Sequence, residues 1–169
     1  MDNIIYRKST IHDIEKISHQ VAVSYKSAYK GLMDGRYLSS LSNDHWVPIL
    51  LEAISAESIC LVAQNSNGII GSAVFGRAIT DPDTGNAELF SIYLLPEYIG
   101  CGIGQKLYLE AEKIMAEQSF KMCFLEVLSE NTRAIKFYLS HGFKEIKTFT
   151  VTENGMTLNC KAMKKELQI

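Results

Sequence analysis

A turn with glycine at every second position, Gly100, Gly102 and Gly104, is the segment of the chain most suggestive of chemistry. It follows an apolar run from Leu89 to Leu95 and opens an amphipathic stretch, which predicts a strand, a tight turn and a helix N-terminus. Such a turn points successive backbone N–H groups at one place, where the helix dipole is also positive. Glycine removes the Cβ that would obstruct a positive φ and the close approach of a phosphate. The segment therefore predicts a site for a phosphate-bearing ligand.

Two common phosphate-binding motifs fit this turn poorly. A Walker A loop needs Gly-Lys-Ser/Thr, whereas Gly104 is followed by Gln105-Lys106-Leu107. A Rossmann fingerprint needs the spacing G-x-G-x-x-G and an acidic residue at the end of the next strand, but the spacing here is G-x-G-x-G. A plain structural alternative also stays open, in which the glycines only let a helix start pack tightly on a strand.

A second motif runs from Asn131 to Phe143 and contains Asn131, Ala134, Phe137 and Tyr138 at defined spacing. Together the two segments resemble the GNAT superfamily of acyl-CoA-dependent N-acyltransferases. The family loop P-E-Y/H-R/Q-G-x-G-I/L-G is similar to Pro96–Gly104, and the family helix N-x-x-A-x-x-F-Y-x-x-x-G-F matches at every defined position. The order of elements is similar along the whole chain.

The resemblance implies an N-acetyltransferase that moves acetyl from acetyl-CoA to a primary amine by direct attack in a ternary complex. It assigns CoA pyrophosphate to the backbone amides of Ile99, Gly100, Cys101, Gly102, Ile103, Gly104 and Gln105. It assigns the pantetheine arm to the open strand edge at Ile92, Tyr93, Leu94 and Leu95, where the arm bonds like an added strand. By the same resemblance Asn131 caps its helix and contacts the pantetheine, and Tyr138 is the general acid beside the thioester sulfur.

One position departs from the family loop. Ile99 stands where the family usually has Arg or Gln, which removes a side-chain contribution to pyrophosphate binding and leaves the main-chain contribution. Lys106, Arg133 and Lys136 are candidates to replace that charge, although solvated surface cations are the more ordinary interpretation of each.

The catalytic base is less clearly indicated than the acid. Transfer needs a neutral amine, and holding a lysine-like amine neutral at pH 7 costs about 4.6 kcal/mol. A carboxylate that takes the proton, directly or through water, is therefore expected. Glu88 occupies the register of the catalytic Glu in histone-type family members, with a solvent-facing strand residue as the equal alternative. Glu126, an acid among apolar residues of the next strand, is the weaker candidate.

The acceptor is the least determined part of the prediction. The segment Tyr25-x-x-Ala28-Tyr29-x-Gly31 resembles family members of which some act on polyamines, and Tyr25 and Tyr29 share a helix face that could line an acceptor pocket. Core packing explains the two tyrosines equally well. A small, polyamine-like amine is favoured. The alternatives are a protein N-terminus or lysine, a non-catalytic CoA-binding regulator, and a structural partner domain.

Acidic residues that could attract a polyamine are present, although the sequence does not place them. They are Asp34, Asp81, Asp83 and Glu88.

Composition sets the remaining expectations. The chain has 169 residues with 47% hydrophobic and 21% charged residues, which favours one globular domain over residues 1–169. A net charge of −2 argues against a nucleic-acid partner, and no apolar run reaches the length of a membrane span. The start MDNIIYRKST lacks the layout of a signal peptide, so a cytoplasmic location is expected. Self-association into a homodimer through sheet edges stays open.

The cysteines and histidines indicate neither a disulfide framework nor a metal site. The four cysteines are scattered without a CxxC pair, and neither Cys101 nor Cys123 is placed as a nucleophile. The histidines show no metal-type clustering, so no metal is expected.

Periodicity predicts the elements that position these residues, in the order β, α, α(α), β, β, β, α, β, α, β, β. Hairpin strands flank two β–α connections, which predicts an α/β (α+β) mixed sheet with helices on its faces. The resemblance adds a mostly antiparallel central sheet of about seven strands with splayed central strands and helices on both faces. The boundaries most relevant below are a helix from Asn43 to about Ser55, a loop over Asp81–Asn86, a strand over Ala87–Leu95, a helix from Gly104 to about Ser119, and a last strand over Met156–Ala162.

Overall fold

The computed structural model describes residues 3–79 and 85–168, within which seven strands form one sheet flanked by helices. The elements in chain order are β1 Ile5–Lys8, α1 Ile14–Tyr29, α2 Gly35–Ser40, α3 Val47–Ser55, β2 Ile59–Asn65, β3 Gly68–Arg77, β4 Ala87–Leu94, α4 Ile103–Glu117, β5 Met122–Leu128, α5 Thr132–Ser140, β6 Lys144–Glu153 and β7 Met156–Glu166. Short 3-10 turns precede α1 and follow β4.

The sheet has the spatial order β1-β2-β3-β4-β5-β7-β6. Every neighbouring pair is antiparallel except β4 and β5, which run parallel. The expected mixed, mostly antiparallel sheet of seven strands is therefore confirmed.

The parallel pair in the middle of the sheet is short. β4 and β5 are paired only at Ala87↔Cys123 and Glu88↔Phe124, although both strands continue beyond these residues. The register of β4 against β3 shifts at the same level, which leaves Phe90 as an extra residue on β4. A bulge of this kind bends a strand and redirects its side chains. The two central strands consequently separate after Glu88.

Helices cover both faces of the sheet. On one face α4 and α5 bury Leu107, Ala111, Met115, Ile135 and Tyr138 in the largest apolar cluster. On the other face α1 and α3 bury Ile14, Ile17, Val21 and Leu50 against strands β2 and β3. The helical spacing of these residues explains why each helix buries a single stripe.

Some boundaries differ from those that the sequence predicts. The helix expected from Asn43 begins at Val47, because residues 43–46 form a turn and Pro48 suits only the first helical turn. The last strand extends to Glu166, beyond the expected end at Ala162. Most of the expected loop over Asp81–Asn86, with both of its aspartates, lies outside the described residues.

Two further observations concern membrane-spanning helices and metal-binding groups. None of the helices over residues 3–79 and 85–168 combines the length and apolarity needed to cross a membrane. In the same ranges no group of three or more His, Cys, Asp or Glu side chains is arranged to hold a metal ion.

A buried acid fixes the start of α1 against the sheet. The Arg7 guanidinium donates to both Asp13 carboxylate oxygens at 2.8 and 2.9 Å, and the Thr10 N–H donates to Oδ2 at 2.7 Å. Arg7 also donates to Gln64 Oε1 on β2 at 2.6 Å. The hydrogen bonds from Arg7 hold the pKa of Asp13 well below its usual value.

We expect Asp13→Asn to lower the free energy of unfolding by about 2 kcal/mol at pH 7, because charge-assisted hydrogen bonds are lost. The pKa of Asp13 is lower in the folded protein than in the unfolded chain. Its ionised form therefore stabilises the fold above about pH 4, and this contribution falls away at lower pH. Urea unfolding between pH 3 and pH 7 should show the wild type and the variant converging as pH falls.

The exposed Asp44 provides the matched control for this measurement. Asp44→Asn should stay within about 0.5 kcal/mol of wild type. An Asp13→Asn effect that does not change with pH would contradict the assigned role of the carboxylate.

Candidate active site

A cleft of about 430 Å³ opens where β4 and β5 separate. Its walls come from both strands, the glycine turn, the start of α5 and the end of α1. The lining residues are Ser24, Ala28, Tyr29, Leu89, Phe90, Ser91, Ile92, Tyr93, Leu94, Ile99, Gly100, Gly102, Gly104, Gln105, Glu126, Val127, Asn131, Arg133, Ala134, Phe137 and Tyr138.

The glycine turn at one end of the cleft presents unused backbone donors. The N–H groups of residues 100–105 donate to no carbonyl in the described part of the chain. The Ile99 N–H, which the sequence resemblance also assigns to the pyrophosphate, instead donates to Pro96 O at 3.3 Å, and the Lys106 N–H donates to Gly102 O at 3.1 Å. The amides belong to the residues just before α4 and to its first residues, and the first turn of α4 contains no acidic residue. Free N–H groups at the positive end of a helix dipole form an anion site.

The three glycines of the turn have two different roles. Gly100 and Gly102 adopt φ of +83° and +78°, and a Cβ on either would meet nothing within 4 Å. Their positive φ makes glycine the favoured residue, and the open space above them suits a bound pyrophosphate. A Cβ on Gly104 would instead lie 2.7 Å from Leu94 Cδ1, so this glycine lets α4 pack closely on β4. The plain packing interpretation therefore applies to Gly104.

The start of α5 supplies a polar side of the cleft. The Asn131 side chain accepts the Ala134 N–H at 3.2 Å and caps the helix, as the spacing predicts. Arg133 lines the cleft beside it and is the cation best placed to meet phosphate. Lys106 lies over the Tyr6 ring at 5.0 Å, and Lys136 is exposed and is not among the lining residues.

Tyr138 lines the cleft from α5 and is only 9% exposed. Its ring packs edge-on against Phe137 and Phe143 at 5.6 and 5.7 Å, which fixes its orientation. Its hydroxyl forms no hydrogen bond with any group in residues 3–79 and 85–168. Burial raises the pKa of Tyr138, so the hydroxyl stays protonated at neutral pH. It is a proton donor that faces the cleft without a partner.

The two candidate bases occupy different surroundings. Glu126 on β5 is exposed and lines the cleft. Glu88 is half-buried at the start of β4, where its Oε2 accepts the Ile79 N–H at 3.0 Å, and it is not among the lining residues. The strand carrying Glu126 therefore brings a carboxylate into the cleft, and the strand carrying Glu88 holds its carboxylate at the end where β4 and β5 still pair.

A buried glutamine on α1 binds the open strand. Gln20 Nε2 donates to the Tyr93 carbonyl at 3.2 Å and to Ser24 Oγ at 2.9 Å, while its Oε1 accepts from Ser72 Oγ at 2.7 Å. The Tyr93 carbonyl lies in the part of β4 that β5 does not pair with. This network fixes α1, and hence Ser24, against the cleft.

The predicted acceptor residues form an aromatic group. Tyr25 and Tyr29 lie 4.4 Å apart between ring centroids, and Tyr25 lies 5.9 Å from Tyr93. The Tyr29 and Tyr93 hydroxyls are 3.3 Å apart and share a hydrogen bond. Tyr29 and Tyr93 line the cleft, and Tyr25 lies behind them.

The structure brings most of the residues singled out from the sequence to one place. The residues singled out from the sequence that are described but do not line the cleft are Tyr25, Asp34, Glu88, Leu95, Cys101, Ile103, Lys106 and Lys136. Further lining residues went unassigned in the sequence: Ser24, Ala28, Leu89, Phe90, Ser91, Val127, Ala134 and Phe137. Ala134 and Phe137 occupy defined positions of the second motif and could have been found from it. Ser24 and Ala28 are one helical turn apart, which signals only a shared face.

Taken together, the cleft has an anion cradle at one end, an unpaired strand edge along its wall, and a protonated phenol and a carboxylate beside the gap. These residues fit acetyl-CoA, whose pyrophosphate suits the free amides and whose amide-bearing arm suits an open strand edge. A protonated phenol and a carboxylate are the kinds of group that can donate and accept the protons moved in acyl transfer to an amine.

Comparisons with known proteins agree with this geometry. The family model described as Acetyltransferase (GNAT) family matches residues 25–143. The spermidine N(1)-acetyltransferase of Thermoplasma acidophilum is 32% identical over 151 residues, which cover 84% of this chain and 89% of that protein.

Solved structures are similar over nearly the whole chain. The PaiA N-acetyltransferase of Thermoplasma acidophilum in complex with coenzyme A has a TM-score of 0.75 at 29% identity, covering 97% of this chain and 99% of that one. A Salmonella typhimurium protein with its cofactor acetyl-CoA has a TM-score of 0.73, covering 98% and 94%. Because the identity to the Salmonella protein is only 19%, this similarity shows a shared fold and nothing more.

We expect Gly102→Glu to weaken CoA binding at least 100-fold, because a strained backbone and a negative charge would occupy the anion cradle. Isothermal titration calorimetry with CoA measures the effect. Gly155→Glu is the matched control, since Gly155 has a similar φ of +75° and open surroundings in the β6–β7 turn. Unchanged affinity in Gly102→Glu would refute the pyrophosphate assignment.

Proposed function

The chain belongs to the GNAT family of acetyltransferases, and from that premise we propose that it acetylates a primary amine of a small, polycationic acceptor, with Tyr138 as acid and Glu126 as base. Membership makes it an acetyl-CoA-dependent N-acetyltransferase, which removes the non-catalytic regulator and the structural partner domain as alternatives. The observation that carries the proposed roles is the cleft that Tyr138 and Glu126 line together.

Acetyl-CoA supplies an acetyl group activated as a thioester. The free amides of residues 100–105 would hold its pyrophosphate, with Arg133 as the nearby cation. The edge of β4 over Ile92–Leu94 and the Asn131 side chain would hold the pantetheine arm. Leu95, Cys101 and Ile103 would take part through backbone groups or packing, since their side chains do not line the cleft.

Glu126 would accept the proton that the amine must lose before or during its attack. An exposed carboxylate at the edge of the cleft can do so directly or through one water molecule. Glu88 is the alternative base, and its hydrogen bond to Ile79 N–H supports a structural role instead.

Tyr138 would donate its phenolic proton to the sulfur that leaves from the acetyl group. Its hydroxyl is protonated, held by ring packing and free of other partners in the described part of the chain. The C–S bond breaks as the N–C bond forms, so the proton passes to the departing thiolate and no covalent enzyme intermediate is needed.

Two observations support a small polycationic acceptor. A relative with 32% identity is named as a spermidine N(1)-acetyltransferase. Tyr29 and Tyr93 line the cleft with Tyr25 packed against both, and the faces of aromatic rings attract cations. A protein N-terminus or a lysine side chain is the second candidate, because an open cleft also admits the end of a polypeptide or a long side chain.

We expect Tyr138→Phe to lower kcat about 10²-fold or more, the ordinary contribution of a positioned acid, while acetyl-CoA affinity changes less than about threefold. Mass spectrometry of acetylated spermidine and calorimetry with acetyl-CoA measure the two quantities. A wild-type kcat in Tyr138→Phe would exclude the phenol as the acid.

Glu126→Gln should lower kcat/KM at pH 7 about 10²-fold and should make log kcat/KM rise about one unit per pH unit up to the pKa of the amine. The rise is expected because, without the base, only amine that is already neutral in solution can react, and the neutral fraction grows with pH up to the pKa of the amine. Glu88→Gln is the matched comparison, since the glutamine oxygen can still accept from Ile79. A loss confined to Glu88→Gln would reassign the base to Glu88.

A further inference from the structure

Resting on the proposed function, we propose that Glu153, oriented by Tyr37 and flanked by Tyr25, binds a second ammonium group of the acceptor and so makes the enzyme select diamines and longer polyamines over monoamines. This distal-ammonium subsite, Glu153 with Tyr37 and Tyr25, lies between α1, α2 and the end of β6.

The carboxylate of the subsite is oriented but not neutralised. Tyr37 Oη donates to Glu153 Oε1 at 3.1 Å, joining α2 to β6. Glu153 is exposed and forms no ion pair with any residue in the ranges 3–79 and 85–168. One hydrogen bond leaves most of the accepting capacity of a carboxylate unused. An ammonium group would find here an oriented carboxylate that no described residue occupies with an ion pair.

Aromatic rings connect this carboxylate with the cleft. Burial, and then the neighbouring Tyr37, raises the pKa of Tyr25, so the two phenols are close and stay neutral. Tyr25 packs at 4.4 Å on Tyr29, and Tyr29 lines the cleft. Ring faces attract alkylammonium groups, and their carbon surfaces accept the methylene chain between two amines.

The walls of the subsite are fixed from both sides. Tyr25 Oη donates to Met33 Sδ at 3.6 Å, and the Asp34 N–H donates to Met156 Sδ at 3.4 Å. These contacts join the segment between α1 and α2 to the β6–β7 hairpin. The subsite is therefore part of the fold and does not depend on a loop closing over the acceptor.

A second carboxylate, that of the proposed base Glu126, lines the reacting end of the cleft. Burial, and then the carboxylates of Glu126, Glu130 and Glu153, raises the pKa of the Cys160 thiol on β7. Glu126 and Glu153 thus both raise the pKa of this thiol, which lies on the strand between β5 and β6. At the reacting end Tyr138, a residue only 9% exposed, lines the cleft, and its hydroxyl has no hydrogen-bond partner in the described residues. An acceptor with two positive charges matches both ends.

The test compares 1,4-diaminobutane with n-butylamine, which have the same carbon chain and differ in one ammonium group. Glu153→Gln keeps an oxygen for Tyr37 and removes the charge. We expect it to lower kcat/KM for the diamine at least tenfold, mainly through KM, and to change kcat/KM for the monoamine less than twofold. Tyr37→Phe, which releases the carboxylate, should lower diamine kcat/KM about threefold.

Glu145→Gln is the matched control, because Glu145 lies on the same strand and pairs with Lys161 at 2.8 Å. It should leave both amines at wild-type rates. Equal losses for the two amines in Glu153→Gln, or no loss for either, would overturn the subsite while the proposed function stands. If the wild type acetylates neither amine and calorimetry on the CoA-bound protein detects no diamine binding, both proposals fail.

Discussion

Backbone N–H and C=O groups inside a sheet must be hydrogen-bonded, and this constraint governs the middle of the protein. β5 stops pairing with β4 after Glu88, so the rest of β4 needs other partners. The Tyr93 carbonyl lies on the β3 side of β4, where Gln20 on α1 also donates to it, and the opposite edge of β4 faces a cleft. The extra residue Phe90 bends β4 at the same level. A ligand with an extended, amide-bearing arm can complete the sheet here, which is why a CoA thioester fits this fold.

The direction of β4 also sets the position of the anion cradle. β4 ends at Leu94, and the glycine turn follows almost immediately, so the cradle lies at the open end of the same gap. Gly104 lets α4 pack closely on Leu94, which fixes the helix axis and aims its N-terminus at the cleft. The residues proposed to bind the phosphates and those proposed to bind the arm are therefore held by one strand and the turn that follows it.

The two ends of the cleft favour opposite charges although the chain carries a net charge of only −2. Free amides, a helix dipole and Arg133 occupy the cofactor end. Glu126 also lines the cleft, and Glu153 at the end of β6 is the carboxylate proposed to bind the second ammonium group. This separation suits the proposed reaction, because the anionic cofactor and the cationic amine would each meet a surface of complementary charge. Tyr138 lines the same cleft, where its neutral hydroxyl is compatible with both the anionic cofactor and the cationic amine.

The sequence by itself determined the glycine turn, the Asn131 cap, the sheet class and the family, because positive φ, capping and side-chain periodicity are local properties of a few residues. Only the tertiary structure decided which carboxylate faces the cleft and that Tyr37 meets Glu153, 116 residues away. Strand side chains alternate between faces, so one bulge at Phe90 changes which residues point at the gap. That choice depends on pairing between distant strands, and local sequence does not encode it.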